Sequence, residues 1–145
     1  MIIREIENND IKNVLKLMRV FYDSPAVIVK TPDDLLEKDL LDAVGDCPYL
    51  DGYVMVVEDK IIGYSLVASS YSTEYGGLCI FIEDLYVDKN YRHKGYGSKM
   101  LEYIHEKYPA VRFKLEAEED NEKALSLYRK MGYKVSGYKL MSKLK

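Results

Sequence analysis

The spacing of apolar residues changes several times along the chain, and each change marks a new element. Residues 1–6, "MIIREI", are typical of a short β-strand. Apolar residues between 11 and 21 then recur at helical spacing. Thr31 and Pro32 suit the cap and first turn of a second helix, which Gly45 ends. The opening third of the chain is therefore predicted to be one strand followed by two helices.

Three runs rich in apolar and β-branched residues come next. The runs 52–59 and 61–71 are joined by a turn at Asp59–Lys60, which predicts an antiparallel hairpin. The third run, 76–87, is almost continuously apolar. That pattern predicts a strand covered on both faces at the centre of the sheet.

The last third of the chain alternates between helical and strand patterns. A helix is predicted from Gly95 to before Pro109, a half-buried strand over 111–117, and a helix that Gly132 ends. Two short closing strands are predicted near 133–136 and 138–143. The order predicts an α/β fold with a mixed central β-sheet of about six to seven strands and four helices. Its central strand–helix–strand unit should be a parallel crossover.

Composition excludes several classes of protein. A chain of 145 residues with 48% hydrophobic content predicts a single domain over 1–145, and a net charge of −3 argues against nucleic acid as a partner. Cys47, Cys79, His93 and His105 are the only cysteines and histidines, and their spacing predicts no metal site. No stretch has the ~20 apolar residues of a membrane span and the start lacks a secretion signal, so we expect a cytoplasmic protein without membrane contact.

The stretch "YRHKGYG", residues 91–97, lies between the apolar run and the next helix. A helix start offers unpaired N–H groups, and glycines let phosphate oxygens approach closely. Its spacing differs from the dinucleotide fingerprint and from the Walker loop. By itself the pattern is also that of an ordinary solvated basic turn.

Two longer stretches carry a resemblance to a known family. "EDLYVDKNYRHKGYGSKML", followed after a strand by "NEKALSLYRKMGY", resembles the GNAT superfamily of acetyl-CoA-dependent N-acetyltransferases, over residues 52–143. The resemblance implies acetyl-CoA as acetyl donor and a central strand splayed from its neighbour to leave a V-shaped cleft. "FIEDLYV" is similar to the corresponding segment of the polyamine-acetylating branch.

The resemblance also implies which residues bind the coenzyme. Backbone groups at the end of the strand would hold the pantetheine arm: Leu85, Tyr86 and Val87. Backbone amides of the cradle would hold the pyrophosphate: Arg92, His93, Lys94, Gly95, Tyr96, Gly97 and Ser98. Asn121 would contact the pantetheine arm, and the Tyr128 hydroxyl would face the sulfur and protonate the leaving thiolate.

Glu83 and Asp84 are the candidate acceptor-binding residues, and Glu83 is the candidate base. A carboxylate within an apolar strand should have a raised pKa through desolvation, which favours proton uptake near neutral pH. Adjacent strand residues point to opposite faces unless a bulge intervenes. The alternatives are an ion pair with Arg or Lys for the carboxylates and a core position for Tyr128.

The predicted function is acetyl transfer to a primary amine by direct attack in a ternary complex. A small cationic amine, such as a polyamine or amino acid, suits the carboxylates and the acidic run 116–120. Protein N-termini, lysine side chains and aminoglycosides remain open, as do a non-catalytic acetyl-CoA-binding module and a structural protein. Tyr22, Tyr71 and Tyr75 are candidates to line the acceptor pocket. The family often pairs subunits, so a homodimer is expected.

Overall fold

A computed structural model describes the whole chain, residues 1–145. Five strands and four α-helices follow one another along it. In chain order they are β1 (Ile2–Glu5), α1 (Ile11–Tyr22), α2 (Asp33–Val44), β2 (Leu50–Val57), β3 (Lys60–Ser72), β4 (Gly77–Val87), α3 (Tyr96–Lys107), β5 (Arg112–Leu115) and α4 (Glu122–Lys130). None of the helices has the length and apolar content needed to cross a bilayer.

The strands form one sheet in the order β1-β2-β3-β4-β5. Neighbours are antiparallel except β4 and β5, which are parallel and connected through α3. The mixed sheet, the four helices, the hairpin and the parallel crossover are therefore as predicted. The hairpin turn itself is Glu58–Asp59, where both residues have positive φ.

The number of strands was predicted wrongly, because the sheet has five strands rather than six to seven. Neither 133–136 nor 138–143 forms a strand, and β5 is left as an edge. The apolar side chains of this segment contact little of the chain: Val135 is 87% exposed and Met141 is 91% exposed. A strand pattern gains no stability from its apolar face until another surface covers it.

Two buried clusters cover opposite faces of the sheet. Helices α1 and α2 pack Val14, Met18, Leu36 and Leu40 onto one face. Helix α3 packs Met100, Leu101 and Ile104 onto the other. Strand β4 contributes to both clusters, as its apolar run predicts, although it is the fourth strand rather than the middle one.

An irregularity in β4 opens the sheet. Leu66 pairs with Asp84 and Val67 pairs with Ile82, so Glu83 is an extra residue that forms a β-bulge. Pairing between β4 and β5 ends at Ile82 and Leu115. From Glu83 to Val87, β4 therefore has no strand beside it on the β5 side. The unpaired stretch lies where the resemblance implies a V-shaped cleft, and we call it the cleft below.

Candidate active site

A cavity of about 860 Å³ lies between the end of β4, the start of α3 and one side of α4. Its size is typical of sites for cofactors and small molecules. The cavity brings together most of the predicted coenzyme-binding residues: Leu85, Tyr86, Val87, Arg92, His93, Gly95, Tyr96, Gly97, Ser98, Asn121 and Tyr128. Lys94 does not line it; its ammonium group lies over the Tyr91 ring instead, 5.5 Å from the centroid.

The start of α3 presents free backbone amides to this cavity. Gly95 is the N-cap residue with φ +78°, and His93 also lies in the left-handed region with φ +62°. The first backbone bond of the helix joins Lys99 N to Gly95 O at 3.1 Å. The amides of residues 96–98 therefore have no acceptor within the chain, and the helix dipole adds positive potential there.

Arg92 lies along the end of β4. Its Nε donates to the Val87 carbonyl at 2.9 Å, and its guanidinium lies over the Tyr86 ring, 5.4 Å from the centroid. The last carbonyl of β4 is therefore occupied by this side chain in the free protein. Gly97 faces α4, where a Cβ would meet the Leu127 side chain at 3.2 Å. Its lack of a side chain lets α3 and α4 approach each other.

Helix α4 contributes two polar side chains to the opposite wall. Asn121 caps the helix, with Oδ1 accepting from Ala124 N at 3.3 Å. The Asn121 side-chain NH2 group and the Tyr128 hydroxyl have no hydrogen-bond partner in the chain. Burial raises the pKa of Tyr128, so its hydroxyl stays protonated and can donate into the cavity.

Glu83 occupies the bulge and is exposed, whereas its neighbour Asp84 is buried. The protein around Glu83 still removes part of its hydration. That desolvation raises the pKa of Glu83, and the nearby charges of Asp84, Glu116 and Asp39 raise it further. Neither carboxylate forms an ion pair, so the ion-pair alternative does not hold. Both lie at the start of the cleft, outside the lining of the cavity.

Asp84 is enclosed by tyrosines from other elements. Its carboxylate accepts hydrogen bonds from Tyr22 at 2.9 Å and from Tyr64 at 2.8 Å. Burial raises the pKa of Asp84 to about 6, although the two tyrosine hydrogen bonds act in the opposite direction and Asp39 adds to the rise. This carboxyl therefore changes charge close to physiological pH.

Sequence reasoning missed Asp39 and Tyr64 as neighbours of Asp84. Asp39 is next to the inward-facing Leu40 of α2, so helical spacing alone places it at the margin of the buried stripe. Nothing in the pattern of β3 marks Tyr64 as a partner of Asp84. Tyr71 and Tyr75 lie near the β3–β4 turn, are exposed and do not line the cavity.

The family is decided by a comparison with known sequences. A profile of the acetyltransferase (GNAT) family matches residues 15–133. The chain belongs to this family. It is an N-acetyltransferase, and acetyl-CoA is its cofactor.

Relatives of this GNAT acetyltransferase are similar over most of its length. The thialysine N-epsilon-acetyltransferase of Bos taurus is 29% identical over an alignment of 143 positions that covers 90% of this chain and 82% of the relative. The spermine/spermidine N(1)-acetyltransferase of Bacillus subtilis (strain 168) is 24% identical over an alignment of 103 positions that covers 67% of this chain and 68% of the relative. A crystal structure described as a possible acetyltransferase from Clostridium difficile 630 superposes with a TM-score of 0.84 at 22% identity, covering 99% of this chain and 97% of that one. That likeness shows the fold.

The residues of the cavity fit acetyl-CoA chemically. Free amides at 96–98 and the adjacent Arg92 suit a pyrophosphate. The edge of β4 beyond Glu83, which lacks a neighbouring strand, suits an arm that carries amide groups. When bound, the thioester supplies an acetyl group activated for attack by an amine.

Proposed function

We propose that this GNAT acetyltransferase transfers the acetyl group of acetyl-CoA to the primary amine of a small cationic acceptor, by direct attack in a ternary complex. One observation carries the proposal: β4 is splayed from β5 beyond a bulge that holds Glu83, with Asp84 as the next residue. The carboxylates and the cavity therefore lie along the same stretch of strand. A donor and an amine bound there would meet without a covalent enzyme intermediate.

The coenzyme is assigned to the cavity wall residue by residue. Backbone groups of Leu85, Tyr86 and Val87 would pair with the pantetheine arm, with the Asn121 side-chain amide on the opposite wall. The loop and helix start over 92–98 would hold the pyrophosphate through backbone amides. Lys94 would contribute positive charge at the mouth rather than a direct wall contact.

The chemical step requires a proton acceptor and a proton donor. The amine nitrogen attacks the thioester carbon, the C–S bond breaks, and the proton of the amine passes to Glu83 directly or through water. Tyr128 donates its proton to the departing thiolate. The raised pKa of Glu83 supports its role, and a free hydroxyl at the cavity wall supports the role of Tyr128.

A cationic acceptor is supported by the charge around the bulge. The negative charges of Asp84, Glu116 and Asp39 raise the pKa of Glu83, and Asp39 also raises the pKa of Asp84. No lysine or arginine forms an ion pair with any of these four residues. The names of the relatives refer to thialysine and to spermine or spermidine, which are amines. Acetylation of protein N-termini or of lysine side chains is the second candidate.

The first test replaces Glu83 with Gln and Tyr128 with Phe. We expect each change to lower kcat/KM by about 100-fold or more, the usual contribution of an acid or base, while coenzyme A affinity changes by less than about threefold. Thiol release over a panel of polyamines, diamines, basic amino acids and N-terminal peptides measures the rate, and calorimetry measures the affinity. Glu106→Gln and Tyr49→Phe, at exposed sites outside the cavity lining, are the matched controls.

The alternatives give different results in the same assays. A non-catalytic module would bind coenzyme A yet release no thiol with any amine. A structural protein would not bind it, whereas coenzyme A at about 100-fold excess over Kd should stabilise a binding protein by about 2.7 kcal/mol. Unchanged rates in both variants would remove the assigned roles of Glu83 and Tyr128.

We also propose that the chain forms a homodimer in which the segment 134–145 of one copy covers the β5 edge of the other. Within one copy this segment is exposed, and the β5 edge has no partner. The segment carries four lysines and no acidic residue, and the acidic run 116–120 follows β5 directly. Strand addition of this kind satisfies an open edge and covers apolar side chains together.

A further inference from the structure

Asp84 is the most deeply buried charged residue of the chain, with 4% of its surface exposed. Each oxygen of its carboxylate accepts one tyrosine hydrogen bond: Oδ1 from Tyr22 at 2.9 Å and Oδ2 from Tyr64 at 2.8 Å. Two donors on one buried carboxylate leave it little freedom to rotate. The orientation of Asp84 is therefore set by these two tyrosines.

The tyrosines come from different elements and are themselves held by packing. Tyr22 ends α1 and Tyr64 lies in β3, and the Phe21 ring contacts both edge-on, with centroids 5.6 and 6.5 Å away. Ser65 donates its hydroxyl to the Asp84 carbonyl at 2.7 Å, which fixes the backbone beside the bulge. The geometry around Asp84 thus depends on the buried Tyr64 and Ser65 and on the half-buried Phe21 and Tyr22, and not on fully exposed side chains.

The other titratable groups facing Asp84 are acidic. Asp39 approaches from α2, and Glu83 is the preceding residue of β4, with Glu116 beyond it. No lysine or arginine forms an ion pair with Asp84. A buried carboxylate without a cation in its own chain lacks the pairing that such groups normally have. An ammonium group of a bound molecule would supply it.

We propose that Tyr22 and Tyr64 are positioning residues of the acceptor site, which hold Asp84 in one orientation and in its ionised form so that it attracts the cationic amine. This inference rests on the proposed acetyl transfer to such an amine. A hydrogen bond donated to a carboxylate stabilises its charged form. Removing either hydroxyl would therefore leave Asp84 protonated up to a higher pH. The tyrosines act through Asp84 and not on the acceptor.

Kinetics at two pH values test this role. Tyr22→Phe and Tyr64→Phe remove one hydroxyl each and keep the ring. Near pH 6.5 we expect KM for the cationic acceptor to rise about tenfold, while kcat stays nearly unchanged. A change of that size corresponds to the free energy of one hydrogen bond to a charged group. At pH 8.5, where Asp84 is ionised in every variant, KM should return to within about twofold of the wild-type value. Tyr49→Phe, at an exposed site without side-chain hydrogen bonds, is the control. An equal loss at both pH values would show a merely structural role and overturn the inference.

A second measurement needs no acceptor. The Asp84 carboxyl resonance, assigned by its loss in Asp84→Asn, is titrated by carbon NMR in the wild type and in both tyrosine variants. We expect a higher pKa in each variant, and an unchanged pKa would overturn the inference. If amines are acetylated and the Asp84 pKa does not move, the inference alone fails. If Asp84 titrates as expected and no amine is acetylated, the proposed function fails and the acceptor role fails with it.

Discussion

At the scale of single residues, Asp84 lowers the stability of the protein at neutral pH. Its pKa rises on folding from 3.8 to about 6, chiefly because burial removes its hydration. The folded protein binds this proton more tightly than the unfolded chain does, so stability falls as pH rises through that range. Above about pH 6, where Asp84 is ionised in the folded protein, the free energy of unfolding is lower by about 3 kcal/mol than it is with Asp84 protonated. The figure follows because one pKa unit corresponds to about 1.4 kcal/mol.

Asp84→Asn should therefore stabilise the protein in a pH-dependent way. The difference in unfolding free energy between variant and wild type should increase by about 2 kcal/mol from pH 4 to pH 7.5 in favour of the variant, because part of the full effect is already present at pH 4. Urea unfolding at four pH values across this range measures it. Glu106→Gln, at an exposed position, should give no such trend. A difference for Asp84→Asn that stays constant with pH would mean that Asp84 titrates normally in the folded state.

The sequence indicates the polar residues of the site but not which of them meet. Glu83 and Asp84 stand out because they interrupt an apolar run, and Tyr128 follows Asn121 by two helical turns. Asp39 and Tyr64 do not stand out, since an acid on a helix and a tyrosine in a strand are ordinary there. Their contacts join three elements that are distant in the chain, and periodicity within one element contains no information about such contacts.

At the scale of elements, the start of α3 depends on a backbone conformation that few residues adopt. Gly95 has φ +78°, and a Cβ built on it would meet no atom within 4 Å. Space is thus no obstacle to a side chain at this position, and only the left-handed conformation disfavours one. The free amides that follow depend on this turn, because it ends the preceding loop and begins the helix.

Gly95→Ala should lower the free energy of unfolding by about 1 to 2 kcal/mol, and Gly95→Asn by less, because asparagine tolerates the left-handed conformation better. Coenzyme A affinity should fall in the same order. Gly97→Ala is the comparison within the helix: its Cβ would press on the flexible end of Leu127, while alanine favours helix. It should therefore lose less stability than Gly95→Ala. Urea unfolding measures the free energy of unfolding, and calorimetric titration measures the affinity for coenzyme A. If Gly95→Ala is as stable as the wild type, glycine is not required at this position.

Helices are the elements that the sequence predicts best. The apolar stripes of α1, α2, α3 and α4 recur over three turns or so, and glycines or prolines mark several of their ends. The bulge at Glu83 is harder to predict: the sequence indicates only that Glu83 and Asp84 point to opposite faces of the strand unless a bulge intervenes. One inserted residue changes which face of the sheet the following side chains point to, but it leaves the composition of the strand unchanged. Whether a bulge forms therefore depends on the register between β3 and β4.

At the scale of the whole molecule, the segment 134–145 is the part that a single copy does not accommodate. Its strand pattern led to the prediction of two more strands, which one chain does not form. Apolar alternation indicates that a segment can pair and bury one face. It does not say whether the surface that receives the segment belongs to the same chain.

The homodimer can be tested by removing this segment. Light scattering after gel filtration should give twice the mass of 16.8 kDa for the full chain and the monomer mass for a chain that ends at Tyr133. The melting temperature of the full chain should also rise with protein concentration, and that of the shortened chain should not. A full chain that is monomeric at all concentrations, with slow amide exchange in β5, would show that the segment covers its own edge.

The short pairing between β4 and β5 also affects how the molecule fluctuates. Only four residue pairs join β5 to the sheet, against ten between β3 and β4, and α4 has no fully buried residue. The unit of β5 and α4 should therefore open locally at a lower free energy than the hairpin of β2 and β3. Asn121 and Tyr128 lie on that weakly attached unit, whereas Leu85 to Val87 lie on the firmly held strand. A coenzyme that contacts both walls would connect the two parts, and its affinity would include the free energy of keeping them closed.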